Sequence, residues 1–318
     1  MKKTYPITHA GQCFLKTIRG CVPFITLLGS SCPLSEAQAQ VAPLFEEKLD
    51  AHRLTDRWEL DSTTRRGTFL ITPYKPVYIT AGRKSSNPNE QPFSENPLYS
   101  SPIKYDYGKY EAKFQLSFKT KVWQGIWGRH GDLWVAYTQK SHWQIYNVGF
   151  SRPFRETNYE PEVLLNFATT FNVLGFKARM MGLAMNHQSN GRSLPLSRSW
   201  NRVIAYVALE RNKWTIYLRP WYRLPDTDDE NPAITDYVGR GDATLIYNGG
   251  RSLYSLTGSH SLRLGNKNHG QLIFDWTYRV AGHLKGHLQL SHGYGETLID
   301  YNHRQSTIGI AVSLIEWL

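Results

Sequence analysis

The sequence predicts an all-β protein, a transmembrane antiparallel up-and-down β-barrel with twelve strands as the preferred number. Three observations lead there. Segments of roughly ten residues alternate apolar and polar side chains along most of the chain, the spacing of strands with two different faces. Aromatic residues make up 13% of the 318 residues, with 19 Tyr and 10 Trp. Beyond the N-terminus no run of about 18 apolar residues occurs, so a membrane would be crossed by strands and not by a helix.

Taken in order, the chain opens on an export signal over residues 1–39. Lys2, Lys3, Lys16 and Arg19 precede the apolar run Cys21 to Leu28, and Ala37-Gln38-Ala39 has the small-x-small form of a cleavage site. A cut before Cys32 that leaves a lipid-modified chain is the lesser alternative, because Gly29 stands where an aliphatic residue is usual. All three cysteines, Cys13, Cys21 and Cys32, fall inside this segment. The exported chain is therefore expected to have no disulfide framework, no cysteine metal site and no catalytic thiol. The formal charge of +11 falls to +8 once the signal's four basic residues and Glu36 are removed. No dense Lys/Arg run or nucleic-acid motif accompanies the excess, so no nucleic-acid partner is expected. The excess reads as attraction to anionic lipid headgroups or lipopolysaccharide; the alternative is a solvated, merely basic surface.

Residues 40–68 are expected to form an N-terminal periplasmic segment. Its stretch from Phe45 to Asp61 is charged, helix-compatible and without alternation, and reads as lying outside the main body. The barrel is expected over 69–318. Asn87 to Pro102, rich in Asn, Pro and Ser, is a loop. Phe114, Leu116 and Phe118 alternate with Gln115, Ser117 and Lys119. Leu133, Val135 and Tyr137 alternate with Trp134, Ala136 and Thr138. Trp214, Ile216 and Leu218, then Leu272, Phe274 and Trp276, then Ile308, Ile310, Val312 and Leu314 repeat the pattern. Turn residues separate these segments, among them Gly249-Gly250. Ten to twelve strands can be counted, and an even number suits a bacterial single-chain barrel. A soluble sandwich with one buried face would alternate in the same way but would not gather aromatics near segment ends. The final residue is Leu318 after Trp317, an imperfect form of the terminal aromatic common in such barrels.

The stretch from Met181 to Arg202, MGLAMNHQSNGRSLPLSRSWNR, carries the chemistry. Counting by twos puts Met181, Leu183, Met185, His187 and Ser189 on one face of a strand. After a turn, Asn201 shares a face with Val203, Ala205, Val207 and Leu209. If the two segments pair as a hairpin, the three polar side chains converge as nucleophile, base and orienting amide. An H-x-S pair alone carries little weight. The other histidines form no zinc-ligand signature, and no phosphate loop of the GxxxxGK[ST] type occurs.

The flanking residues add specificity. Asn186-His187-Gln188-Ser189-Asn190-Gly191-Arg192-Ser193 followed by Ser197-Arg198-Ser199-Trp200-Asn201-Arg202 resembles the outer-membrane phospholipase A family. So do Ser151 to Glu162, Tyr137 to Ser141, Gly293 to Glu296 and Leu298 to Tyr301, in the family's order from about Thr72 onward. The resemblance implies a bacterial outer-membrane barrel of twelve strands with its Ser and His on the outer face near the outer leaflet. It implies hydrolysis of acyl esters of phospholipids and lysophospholipids (A1/A2 type), with Ser189 as nucleophile, His187 as base, Asn201 as the imidazole's partner and the Gly191 N–H as oxyanion donor. It further implies calcium held by the Ser197 hydroxyl, the Arg192 carbonyl and the carbonyl of Ser151 of the partner subunit, and hence activation by homodimerisation. Gln139 shares the lipid face with Leu133, Val135 and Tyr137 by parity, where an unpaired amide is costly and a symmetry mate would relieve it. Two departures stand out. Leu194 and Gln188 occupy positions where the family often has an acidic residue, and the loss of that negative charge would weaken calcium binding.

Two function classes follow. One is a calcium-dependent, dimer-activated lipid esterase. The other is a passive barrel, a pore or a homologue without turnover. The enzyme predicts a lumen blocked by polar side chains, for which Arg202, Glu210, Arg219 and Asp275 are suitable.

Overall fold

The computed structural model describes residues 54–317 except Arg129. The expected export signal, its cysteines and Leu318 lie outside the described residues. Twelve strands form the body: β1 (Val77–Ser85), β2 (Tyr110–Trp123), β3 (Asp132–Trp143), β4 (Glu156–Ala168), β5 (Phe176–Ser189), β6 (Ser199–Arg211), β7 (Trp214–Arg223), β8 (Gly241–Asn248), β9 (Ser252–His260), β10 (Gly270–Ala281), β11 (Leu284–Gly293) and β12 (Gln305–Ile315). Each pairs antiparallel with its chain neighbours, and β1 pairs with both β2 and β12, so the sheet closes on itself. Closure leaves no edge strand, and hydrocarbon could not satisfy one. The fragment Ile71–Pro73 also pairs with β2, and Asn172–Val173 pairs with β5. At one end of the barrel the strands are joined by the long connections 86–109, 144–155, 190–198, 224–240, 261–269 and 294–304. Connections at the other end are shorter, down to the two residues 212–213. No helix among the described residues is long and apolar enough to cross a membrane.

Alternation does what the sequence predicts. In β12, Gln305, Thr307, Ala311 and Ser313 are buried in the lumen, while Ile308, Ile310, Val312 and Leu314 face outward. In β2, Gln115, Ser117, Lys119 and Lys121 point inward, and Leu116 and Phe118 point outward. Toward the short-turn end the outward wall carries Trp123, Trp214, Tyr254, Trp276 and Tyr278, an aromatic belt of the kind found where hydrocarbon meets headgroups.

The lumen is filled. Lys75 lies 3.0 Å from both Glu160 and Glu162, Arg202 3.2 Å from Glu160, and Arg219 3.2 Å from Glu162. Nearer the long loops, Glu111 binds Arg83, Arg155 (2.9 Å) and His142 (3.0 Å), and Lys113 reaches Glu296 at 2.8 Å. Glu296 belongs to the connection 294–304; burial alone would raise its carboxyl, and the Lys113 and Arg83 cations hold it well below the usual carboxylate range. Asp275 is satisfied by His287 and Gln289, both at 2.8 Å. Glu210 accepts the Leu54 N–H at 2.9 Å.

That last contact corrects one expectation. The described part of the N-terminal segment is not outside the body. Helix α1 (Leu54–Trp58) and Leu60 pack within the barrel's apolar cluster, against Trp134, Ala136, Leu164, Met180, Ala184, Ile204 and Ala208. Trp58 meets Trp134 edge to face at 5.7 Å, and Lys119 lies 4.6 Å over its ring while donating to the Arg57 carbonyl at 2.8 Å. The physical reason is complementary volume. Small lumen residues on β3, β5 and β6 leave room that Leu54, Trp58 and Leu60 occupy, and the charges between them pair with lumen groups, as Glu59 does with Lys121 at 2.9 Å.

Candidate active site

β5 and β6 form a hairpin in which His187 stands opposite Asn201 and Ser189 opposite Ser199. On the other flank Ser189 stands opposite Tyr159 of β4. Alternation sends Met181, Leu183, Met185 and His187 outward, with Ser189 and Asn201 half-exposed on the same face. His187 and Asn201 are in contact, Nδ1 to Oδ1 at 2.8 Å. Because an amide oxygen can only accept, Nδ1 is the donor, which leaves Nε2 as the nitrogen that carries the lone pair of the neutral ring. The Ser189 hydroxyl makes no hydrogen bond within the described residues. An imidazole with its Nε2 unengaged, two residues from a serine hydroxyl on one face of a strand, is an arrangement that can serve as base and nucleophile.

The inward residues of the same hairpin hold this outward set. Arg202, opposite Asn186, donates to its Oδ1 from Nε at 2.9 Å, and its guanidinium lies 4.0 Å over the Trp200 ring. Trp200 donates to Gln188 Oε1 at 2.8 Å. The Gln188 side chain is thus engaged with Trp200 on the opposite side of the strand from Ser189. Leu194 is an exposed apolar residue in the loop.

The connection 190–198 is organised by Asn190, which is buried. Its amide donates to Glu156 (3.1 Å) and the Leu196 carbonyl (2.8 Å), and its Oδ1 accepts the N–H groups of Arg192 (3.3 Å) and Arg198 (3.0 Å). Arg198, with no exposure, donates to the carbonyls of Ser197 (2.7 Å) and Tyr99 (2.7 Å), tying this loop to the connection 86–109. Gly191 has φ +61°, and a Cβ there would come within 3.2 Å of the Tyr159 ring. Both the left-handed backbone and the close approach call for glycine.

Of the expected metal ligands, Ser197 and Arg192 share this loop. The Ser197 hydroxyl donates to Glu230 Oε1 at 2.6 Å, and the other carboxylate oxygen of Glu230 is buried without a hydrogen bond. Glu230, from the connection 224–240, is a residue that sequence reasoning missed, since nothing in the acidic run Asp226 to Glu230 singles it out. Ser151 lies in the connection 144–155, apart from this loop, where its carbonyl accepts from Trp143 Nε1 at 2.8 Å. No cluster of three or more His, Cys, Asp or Glu side chains able to hold a metal occurs among the described residues. Gln139 faces outward on β3, opposite Leu116 and Tyr159. Its Oε1 accepts from Tyr137 at 3.1 Å and its Nε2 donates to Ser141 at 3.2 Å.

Comparison with known proteins extends the geometry. A family model described as phospholipase A1 matches residues 54–314. The phospholipase A1 of Salmonella typhimurium is 42% identical over 300 residues, spanning 93% of this chain and 97% of that one. That of Klebsiella pneumoniae is 38% identical over 294 residues, 92% and 96% respectively. Among solved structures, outer membrane phospholipase A from Escherichia coli superposes with a TM-score of 0.70 at 37% identity, covering 79% of this chain and 100% of that one. A Salmonella typhi outer membrane phospholipase, a dimer with bound calcium, gives 0.72 at 35% identity, covering 83% and 98%.

Proposed function

The chain belongs to the phospholipase A1 family, and from that membership and the site's geometry we propose that it cleaves phospholipid and lysophospholipid acyl esters by a Ser189–His187–Asn201 mechanism. It is an outer-membrane phospholipase built as a twelve-stranded barrel. Ser189 Oγ attacks the ester carbonyl while His187 Nε2 takes its proton, then returns it to the leaving lysolipid oxygen. Asn201 Oδ1 holds Nδ1–H throughout, fixing the tautomer. A neutral amide suits a lipid-facing wall, where an ionised carboxylate would cost far more to desolvate. The Gly191 N–H, turned by its left-handed backbone, is the oxyanion donor. The observation that carries this reading is the 2.8 Å His187–Asn201 contact on the outward face, with a free serine hydroxyl beside it.

Calcium fits the oxygen donors of the 190–198 loop. Ser197 and Arg192 would hold it, and Glu230, with a buried oxygen that lacks a partner, supplies the negative charge that Leu194 does not. When bound, the ion contributes positive charge near the developing oxyanion. The calcium-bound dimer of the Salmonella typhi relative supports both the metal and a homodimer, and in such a dimer the carbonyl of Ser151 of the partner subunit would complete the ligand set. Gln139 supports the same assembly. After its bonds to Tyr137 and Ser141, its amide keeps one N–H and one lone pair on the lipid face, which a symmetry-related Gln139 could take. The long-loop end, with the site, faces the outer leaflet, residues 1–39 serve as export signal, and the N-terminal segment reaches the barrel from the periplasm.

The test is phospholipid hydrolysis in detergent mixed micelles, with calcium and with chelator, for the parent and Ser189→Ala. Fatty-acid release that needs both calcium and Ser189 is expected. No release from a folded barrel would leave a passive role, and release that ignores calcium would remove the metal from the reading.

A further inference from the structure

We propose that the outward wall at the long-loop end of β11, β12, β1 and β2 binds the phosphomonoester headgroup of a membrane lipid through Lys84, Lys109 and Arg304. Lys84 comes to face outward through a register shift. A bulge between Thr80 and Arg83 leaves Ala81 and Gly82 both exposed, sends Arg83 into the lumen and turns Lys84 to the outer wall. There Lys84 stands opposite Ile308 of β12 and Tyr110 of β2, with its Nζ 5.6 Å over the Tyr110 ring. Lys109 precedes Tyr110, and its carbonyl accepts the Ser85 N–H at 2.8 Å, which places it beside the end of β1.

The third cation is held in place. Arg304 donates from Nη2 to His292 Nε2 at 3.0 Å, and His292 Nδ1 lies 2.7 Å from Ser306 Oγ. Accepting at Nε2 makes His292 a neutral ring that donates from Nδ1, so the chain Arg304–His292–Ser306 aims the guanidinium without adding or cancelling charge. Ser306 faces outward two residues before Ile308, diagonal to Lys84, a separation of about 7–8 Å that a lysine side chain spans.

Charge points to the ligand. None of the three cations forms a salt bridge among the described residues, whereas Lys104, Lys267, Arg223 and Arg240 at the same end each pair with a carboxylate. The outward faces of these four strands carry no Asp or Glu among the described residues. Three uncompensated cations suit a phosphomonoester, with about −1.5 to −2 charges near neutral pH, better than a zwitterionic headgroup. Their position points to a lipid and not to free phosphate. Directly below them the wall continues as Ile308, Ile310, Ile79 and Val312, all exposed, a surface for acyl chains reached without leaving the same strands. Around the ring this wall lies on the far side of the barrel from the β5–β6 hairpin, so the occupant would be a bound neighbour of the enzyme and not its substrate.

The test uses the full chain folded in detergent and a dialkyl-ether phosphatidic acid, which has no ester to cleave, with retained lipid counted by native mass spectrometry. The parent is expected to retain this lipid in preference to dialkyl-ether phosphatidylcholine, and Lys84→Gln/Arg304→Gln to retain it about tenfold less. Arg263→Gln, which removes a charge from the neighbouring 261–269 connection, should change little. Heat-modifiable mobility checks that each variant is folded. Equal retention by the double variant, an equal loss in Arg263→Gln, or no preference over phosphatidylcholine would each overturn the proposal. Displacement by excess inorganic phosphate would make the site one for free anions and overturn the lipid assignment. None of these results depends on turnover.

Discussion

The two faces of the barrel wall treat polar groups in opposite ways. Inside, Lys75, Lys113, Lys121, Arg83, Arg202 and Arg219 are all buried or nearly so, and each has a carboxylate within 3.3 Å. Outside, between the rims, the wall is mostly aliphatic and aromatic, and its few polar groups keep unused capacity. Among the described residues the Ser189 hydroxyl has no partner, His187 Nε2 is unengaged and Gln139 has an N–H to spare. A chain can satisfy its lumen alone, because it builds both partners. It cannot expect lipid to satisfy its outer wall, so under the proposed function a polar group kept there short of a partner serves a reaction or a second subunit.

On that contrast, the largest effect on either face is that of Ser189→Ala. Loss of hydrolysis by about 10⁴-fold or more is expected, with thermal unfolding followed by heat-modifiable mobility unchanged, because the hydroxyl has no partner to lose. The inward counterpart is Lys121→Met at the short-turn end. It would leave Asp132, at 3.1 Å, without a cation, and Glu59, at 2.9 Å, with only the more exposed Arg66 at 3.2 Å. A loss of about 3–5 kcal/mol of stability is expected, with activity per folded molecule retained. Activity lost in Lys121→Met while stability holds would break the comparison.

The contrast also explains what was legible in the sequence. A period of two survives however a barrel is decorated, so the strands, the outward parity of His187, Ser189 and Asn201, and the polar lumen residues Arg202, Arg219 and Asp275 could all be read by counting. What escaped depended on pairing across the fold. Leu54, Trp58 and Leu60 are set among Asp56, Arg57 and Glu59, so the segment reads as solvated until the small lumen residues that receive it are known. The resemblance marks Gln188 as a departure, but its contact with Trp200 depends on the facing strand. Glu230 meets Ser197 from a separate connection, a contact that no local pattern announces.

A smaller effect sharpens the outer face. Asn201→Ala removes the acceptor that holds His187 Nδ1–H but leaves the base and nucleophile. A fall of about 10²-fold in hydrolysis is expected, part of the contribution of a positioned base, while Asn201→Asp should not restore full activity on a wall that penalises charge. Equal rates in the parent and Asn201→Ala would reduce the 2.8 Å contact to packing.

The smallest effect belongs to Gln139, and it separates the two uses of outward polarity. Gln139→Leu keeps the side chain's bulk and suits the lipid face, so the monomer should fold as well as the parent or slightly better. Its bonds to Tyr137 and Ser141 are local and lie two residues either side, so their loss moves no strand. A buried polar contact between membrane-embedded subunits is worth about 0.6–2 kcal/mol, which sets the expected weakening of dimerisation at roughly three- to thirtyfold. Cross-linking or sedimentation in detergent with calcium measures it, and hydrolysis should fall only at protein concentrations where the dimer dissociates. A loss of activity at every concentration would instead move Gln139 from the subunit interface to the site itself.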